Sequence, residues 1–418
     1  MNPNNPDNLR HNYLMDVLDG GFFGVAMGFA SFTTIIPLFL STFTGSAVLI
    51  GLIPAIRSMG YQLPPLFLAR TVARQKRYKP MILLNTIHER IPFLGLALIA
   101  WFSPRLGSQW SLILAFTCII WQGLGGGITA NPLQNLIARI FPPHIRATVI
   151  GTQSSANNLM ASGSAILAGL VLSGMPVPFN YAACFLIASG SLGISYLFLA
   201  NLREPEQSDE YIQPLDIPLR QSINAILLKD ASFRWFLCAK MLAQFAMLAS
   251  AFYMIYALRH FQISPGTAGI MTSVLLFSQV IANPSIGFIA DRWTRKGMLE
   301  IGGLTLILAP LVAIFAGGLG WFYLVFILVG FSNAIFNTLG LAIILDFGVD
   351  AQRPMYFGLA NTLTAPISIA APMLGGWMAD SFGFQSTFLA AAAAGLLATL
   401  VLHFFVSDPR RKVIFAQG

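Results

Sequence analysis

Apolar runs of about twenty residues recur along this chain, and the charges between them are confined to short loops. Twelve such runs stand out, at 15–41, 46–68, 80–102, 109–133, 147–173, 179–201, 231–257, 265–289, 298–317, 321–346, 355–379 and 383–406. A helix needs about 20 predominantly apolar residues to cross a bilayer. In lipid the backbone must satisfy its own hydrogen bonds, so each run is expected as a spanning helix. Composition agrees: 56% of the 418 residues are hydrophobic and 10% are charged, against roughly 25% charged in a soluble domain. A soluble enzyme and a nucleic-acid binder are excluded, because one water-soluble core cannot hide so much apolar surface. The opening MNPNNPDNLRHN has no apolar segment of the signal-peptide kind.

Positive charge sets the expected orientation. Of the 24 Lys and Arg, nineteen fall in the N-tail, the loops on the same side, the central linker and the C-tail. Arg105 and Arg259 fall on the other side, and Arg57, Arg90 and Lys240 lie deep within runs, Arg234 at the very start of the seventh being counted with the linker. The positive-inside rule then puts both termini in the cytoplasm. Residues 202–230 are charged and Pro-bearing and read as a linker. The expected organisation is a six-helix bundle over 1–201, the linker 202–230, and a second six-helix bundle with a short cytoplasmic tail over 231–418.

The halves carry a repeat. Arg146-Ala-Thr-Val-Ile-Gly151 and Arg353-Pro-Met-Tyr-Phe-Gly358 both read R-x4-G, offset by 207 residues. The same offset maps Gly123 onto Gly330 and Gly169 onto Gly376. An even number of helices per half makes the repeats parallel.

With these features the chain resembles the major facilitator superfamily of secondary transporters. Its most specific match is Gly287-Phe-Ile-Ala-Asp291-Arg292-Trp-Thr-Arg295-Lys296, similar to the family's loop signature G-x-x-x-D-R-x-x-R-[RK]. The resemblance implies a cytoplasmic gate in which Asp291 pairs with arginine and a helix start. Gly287, Arg292, Arg295, Lys296, Arg146 and Arg353 are expected around it. The matching first-half loop, Phe67 to Lys79, has five positive residues and no acid, with Arg70 where the aspartate would stand. That loop fits a topology anchor on anionic lipid. The fifth run also lacks the Gly-Pro core of many drug/proton antiporters of the family.

Polar residues at membrane depth supply the candidate sites. The resemblance aims the fourth, seventh and tenth runs at a central cavity. It thereby makes Asn131, Gln134, Lys240, Gln244, Asn333 and Asn337 the expected substrate lining, with interhelical hydrogen bonding as the alternative. Arg57, His88, Glu89 and Arg90 form a candidate charge network or proton-coupling site. Depth arithmetic pairs Arg57 with Glu89. His88 is the one deep imidazole, although residues 88–90 fan too widely to face one cavity. Asp16, Asp19, Glu300 and Asp346 sit near run ends and read as solvated at the interface.

No catalytic signature appears: H-E-x-x-H, G-x-S-x-G and the P-loop are all missing. The glycine run Gly123–Gly127 reads as close helix packing or a flexible gate. Cys118, Cys184 and Cys238 lie in apolar runs without metal-ligand spacing. The expected protein is not an enzyme and has no cofactor and no metal. It is a transporter of a small organic solute by alternating access, proton-coupled or not. An uncoupled facilitator and a transporter-like receptor without transport activity are the alternatives. Its expected partners are a small-molecule substrate, protons where transport is coupled, and membrane lipid, with no nucleic acid. It is expected to act as a monomer in a bacterial inner membrane.

Overall fold

The computed structural model describes residues 6–32, 34–44, 47–205, 219–261, 265–348 and 351–408. Most of the expected linker, 206–218, and the tail from 409 on lie outside the described residues. The described chain is all-α. It divides into two compact units: unit one holds 1–142 and 156–214, and unit two holds 143–155 and 215–418.

Unit one contains α1 (Pro6–Phe29), α2 (Ile35–Ser41), α3 (Ala47–Gln62), α4 (Pro64–Ala73), α5 (Lys79–Ile140), most of α6 (Arg146–Gly174) and α7 (Phe179–Ala200). The first expected span is thus the broken pair α1/α2. The second is α3/α4, interrupted at Leu63, where Pro64 and Pro65 open the next helix. The third and fourth spans form the single run α5, which turns at Gly107, whose φ is 75°. A left-handed backbone is the conformation glycine adopts at least cost.

Unit two contains the start of α6, then α8 (Leu219–Lys229), α9 (Ala231–Ala246), α10 (Ser250–Phe261), α11 (Pro265–Arg292), α12 (Arg295–Ile314), α13 (Gly320–Ile344), α14 (Arg353–Phe382) and α15 (Phe384–Phe405). A 3-10 turn, Met247–Ala249, joins α9 to α10. Asp230 caps α9 by accepting from the Phe233 amide at 3.0 Å. Thr294 caps α12, its hydroxyl accepting from the Gly297 amide at 3.4 Å. Arg146 and Arg353, the two repeat arginines, are the first residues of α6 and α14.

Among the described residues, nine helical runs are long and apolar enough to cross a membrane. Counting α5 as two and adding the interrupted pairs α1/α2 and α3/α4 gives the twelve spans expected. Each unit has its own apolar core. In unit one Phe39, Phe93 and Phe185 are fully buried in one cluster, and in unit two Phe322 and Phe388 are buried in another.

The glycine run in α5 packs helices closely. A side chain on Gly125 would strike the backbone of His88 and Glu89, on the preceding limb of the same hairpin. Overpacking of this kind costs about 1–3 kcal/mol. Gly125→Leu is therefore expected to lower the detergent melting temperature. Gly190→Leu, where nothing lies within 4 Å of the new Cβ, is expected to leave it unchanged or raise it.

Candidate functional site

The densest charge cluster lies in unit two. There the first turns of α6 cross α11 at two small residues. A Cβ on Gly287 would lie 2.9 Å from Thr148 Cα, and one on Gly151 would strike the Asn283 carbonyl. Without those side chains the backbones come close enough for Asp291, at the end of α11, to reach the start of α6. Its Oδ2 accepts from the Thr148 amide at 2.7 Å and the Thr148 hydroxyl at 2.9 Å, and its Oδ1 accepts from the Ala147 amide at 3.3 Å. A carboxylate on free amides at a helix N-terminus is favoured by hydrogen bonding and the helix dipole together.

Arg295, fully buried, completes the cluster. It donates to Asp291 at 2.9 Å, to the Pro143 carbonyl at 2.5 Å, to the Ala342 carbonyl at 3.0 Å and to Asp346. Asp346 in turn accepts from Arg146 at 3.0 Å. Two arginines and two aspartates, each with a side chain no more than 3% exposed, thus interlock.

The expected gate residues divide here. Gly287, Asp291, Arg295 and Arg146 come together. Arg292 does not join them: it is exposed, with its guanidinium 3.5 Å over the Phe288 ring. Lys296 points toward Glu300 at 3.6 Å and donates to the His403 carbonyl. Arg353 donates to the Leu345 carbonyl at 2.9 Å. Asp346, read as an interfacial acid, is instead a central member. An acid ending an apolar run on the side that carries the repeat arginine Arg146 was the available signal.

Unit one holds a second network. Arg90 donates to Ser195 at 2.9 Å and to the Leu192 carbonyl at 3.2 Å, and it lies 3.4 Å from Asp19. Ser195 donates to the same Asp19 oxygen at 2.5 Å. Asp19 is buried, which corrects its reading as a solvated interfacial residue.

Arg57 and Glu89 are charged neighbours, as expected, but no direct salt bridge joins them among the described residues. The Arg57 guanidinium instead stacks 4.6 Å over Phe32. Glu89 packs beside Gly126, with Arg90, Arg57 and Asp19 as its charged neighbours. His88 is exposed and accepts from the Trp121 indole at 3.2 Å. The three consecutive residues face three ways, as helix geometry requires.

At the start of α5, Glu204 supplies the acid that the loop Phe67–Lys79 lacks. Its carboxylate accepts from the amides of Tyr78 and Lys79 at 2.8 and 2.9 Å, and from Arg139 at 2.9 Å.

The expected substrate lining also divides. Asn131 is fully buried and donates to the Pro65 carbonyl at 2.7 Å, tying α5 to α4. Its amide therefore serves helix packing, not open space. Gln134 is half-buried, with an unpaired Oε1. In unit two Lys240, Gln244 and Asn333 are half-buried and Asn337 is exposed. No charged side chain among the described residues neighbours Lys240. No cluster of metal-ligating side chains occurs among the described residues.

The fold and these networks define a polytopic all-α membrane protein built of two helical units. The profile of the Major Facilitator Superfamily matches residues 18–258 and 235–417, and the chain belongs to that family. A stretch of 154 residues is 30% identical to the uncharacterized MFS-type transporter C18.02 of Schizosaccharomyces pombe, covering 35% of this chain and 34% of that one. A stretch of 297 residues is 24% identical to the mouse MFS-type transporter SLC18B1, covering 66% and 60%. The chain thus spans about a third to three-fifths of the length of these curated relatives. The transporter FucP in its outward conformation superposes with a TM-score of 0.74 at 16% identity, covering 95% of this chain and 99% of that one. A bacterial homologue of the iron transporter ferroportin superposes at 0.76 with 15% identity, covering 94% and 98%. At these identities the likeness is one of fold.

Removing one partner of a buried pair strands a charge and costs about 3–5 kcal/mol, whereas exposed pairs contribute about 0–1 kcal/mol. Asp346→Asn is therefore expected to destabilise the protein strongly. Glu300→Gln, whose partners Lys296 and His403 are partly exposed, is expected to change stability little. Paired unfolding curves in detergent check the contrast.

Proposed function

We propose that the chain is a secondary transporter that moves a small organic solute by alternating access. One observation carries this reading. The Asp291–Arg295–Asp346–Arg146 cluster locks a helix start with charges that are buried and paired with one another, so it has a bonded arrangement to lose when a gate opens. We infer from the charge balance of the loops that this cluster lies on the cytoplasmic side, with both termini cytoplasmic. The halves that exchange access are 1–201 and 231–418, joined by the linker 202–230, and the protein acts as a monomer without a cofactor. Short loops between the spans fit a bacterial inner-membrane protein.

Several relatives support a small organic solute. They include a multidrug resistance protein of Bacillus subtilis, 28% identical over 146 residues, and the class H tetracycline resistance protein of Pasteurella multocida, 27% identical over 149 residues. Lys240, Gln244, Asn333 and Asn337 are the residues we assign to the solute path, with Gln134 from unit one. Counterflow in proteoliposomes, screened over labelled acids, sugars and cationic drugs, tests the reading. Accumulation of at least one class against a preloaded pool is expected. Solute binding without any flux would instead mark a receptor.

For proton coupling, the two sequence candidates are separated by their surroundings. Glu89 lies among Arg57, Arg90 and Asp19, where gaining or losing a proton changes a balance of buried charges. His88 faces outward onto Trp121. We assign coupling to Glu89. Glu89→Gln is expected to abolish flux driven by a pH gradient while sparing counterflow, and His88→Ala is expected to retain both. Gradient-driven flux that survives in Glu89→Gln would identify a different coupling residue, and its absence in the wild type would identify an uncoupled facilitator.

A further inference from the structure

Unit two contains a cavity of about 20 Å³ at the break between α9 and α10. A single water needs about 10–15 Å³ of such space, so the cavity has room for one water and none for an organic ligand. Met247, Ser250 and Tyr253 line it from the broken helix, Thr305 from α12 and Ser332 from α13. No charged residue lines it among the described residues. At the break the α-helical hydrogen bonding gives way to the 3-10 turn Met247–Ala249, whose bonds have poorer geometry. The cavity thus sits beside the least regular backbone of the seventh span.

The hydroxyls around it are unevenly matched. Ser250 donates to the Met247 carbonyl at 2.7 Å, and Thr305 donates to the Gly302 carbonyl at 2.7 Å. Both have used their proton and keep lone pairs to offer. Ser332 is 2% exposed, and its Oγ has no hydrogen-bond partner among the described residues. It therefore has a proton to give and nothing to receive it. A water has two protons to donate and two lone pairs to accept with, which matches two acceptors and one donor. The rest of the lining is mostly apolar, with Leu306, Ala309 and Val329 in it. An ion there would lose its hydration with too few ligands in exchange. A cavity lined by apolar groups alone stays dry, and these hydroxyls remove that condition.

We propose that unit two binds one structural water in this cavity. The water accepts the Ser332 proton and donates to the hydroxyl oxygens of Ser250 and Thr305. One molecule thereby ties the break in the seventh span, at the first residue of α10, to α12 and α13. Leaving a buried hydroxyl unsatisfied typically costs more than immobilising the water that satisfies it. The proposal does not depend on the transport reading.

Radiolytic footprinting of the purified full-length protein in detergent tests the site, because hydroxyl radicals made from a bound water label the side chains beside it. Tyr253 lines the cavity and is 3% exposed, so it is the reporter, and Trp293, 60% exposed, is the reference. After rapid mixing into heavy-oxygen water, the isotope is expected in the Tyr253 product at least tenfold more slowly than in the Trp293 product. An unlabelled Tyr253, or one that exchanges as fast as Trp293, would overturn the site. Ser332→Ala is expected to abolish the slow label and to lower the detergent melting temperature. A melting temperature that rises in Ser332→Ala, with the slow label intact, would show a hydroxyl that was merely unpaired and would overturn the site as well. Ala309→Val puts methyl groups into the space of the water and is expected to remove the slow label; a label that survives it would place the water elsewhere. Melting curves in sodium chloride and in choline chloride are expected to coincide. A rise specific to sodium would make this a cation site and overturn the water.

Discussion

Inside a bilayer no water is available to an unpaired polar group, and this constraint orders the whole molecule. It makes the backbone helical, and it confines most breaks to places where proline, glycine or a short turn can close the gap, as at Leu63, Gly107 and Met247–Ala249. It acts on side chains as well. A charge at the centre of a span costs about 3 kcal/mol on insertion scales. Several buried charges here therefore meet an opposite one: Asp19 meets Arg90, and two arginines meet Asp291 and Asp346.

The two units solve one mechanical problem with the same device. Each must fix the start of the helix that follows its second hairpin loop. In unit one Glu204, beyond the end of α7, caps the first amides of α5. In unit two Asp408, beyond the end of α15, accepts from the hydroxyl of Thr294 at 2.6 Å, and Thr294 caps α12. The closing strap of each unit is thus an acid carried past its last helix. Sequence comparison does not expose this correspondence, because one acid binds the amides directly and the other works through a threonine.

The helical spans were legible because a run of apolar residues must be buried or lipid-facing wherever the chain goes. The repeat arginines were legible as well, since both open a helix. The partners of the polar residues were not, for two physical reasons. First, depth depends on where a helix begins. The hydrophobic run starts near residue 15, but α1 begins at Pro6. Asp19 consequently lies more than three turns inside a helix, within reach of Arg90, and not at its solvated edge. Second, direction depends on rotation. His88, Glu89 and Arg90 occupy one stretch of sequence yet face a tryptophan on the exposed side, a glycine on the next limb, and a buried aspartate. The loop signature shows the same limit: its aspartate and second arginine are buried in the cluster, while Arg292 and Lys296 lie outside it.

Lys240 stands apart from this pattern. The paired charges already meet opposite charges, so they hold the fold and offer little to a solute without being broken. Lys240 is half-buried and has no charged neighbour among the described residues. An uncompensated cation is costly to maintain in a membrane span. A ligand bearing a negative charge would offset that cost. A neutral ligand would leave it unchanged, and a cation would add to it.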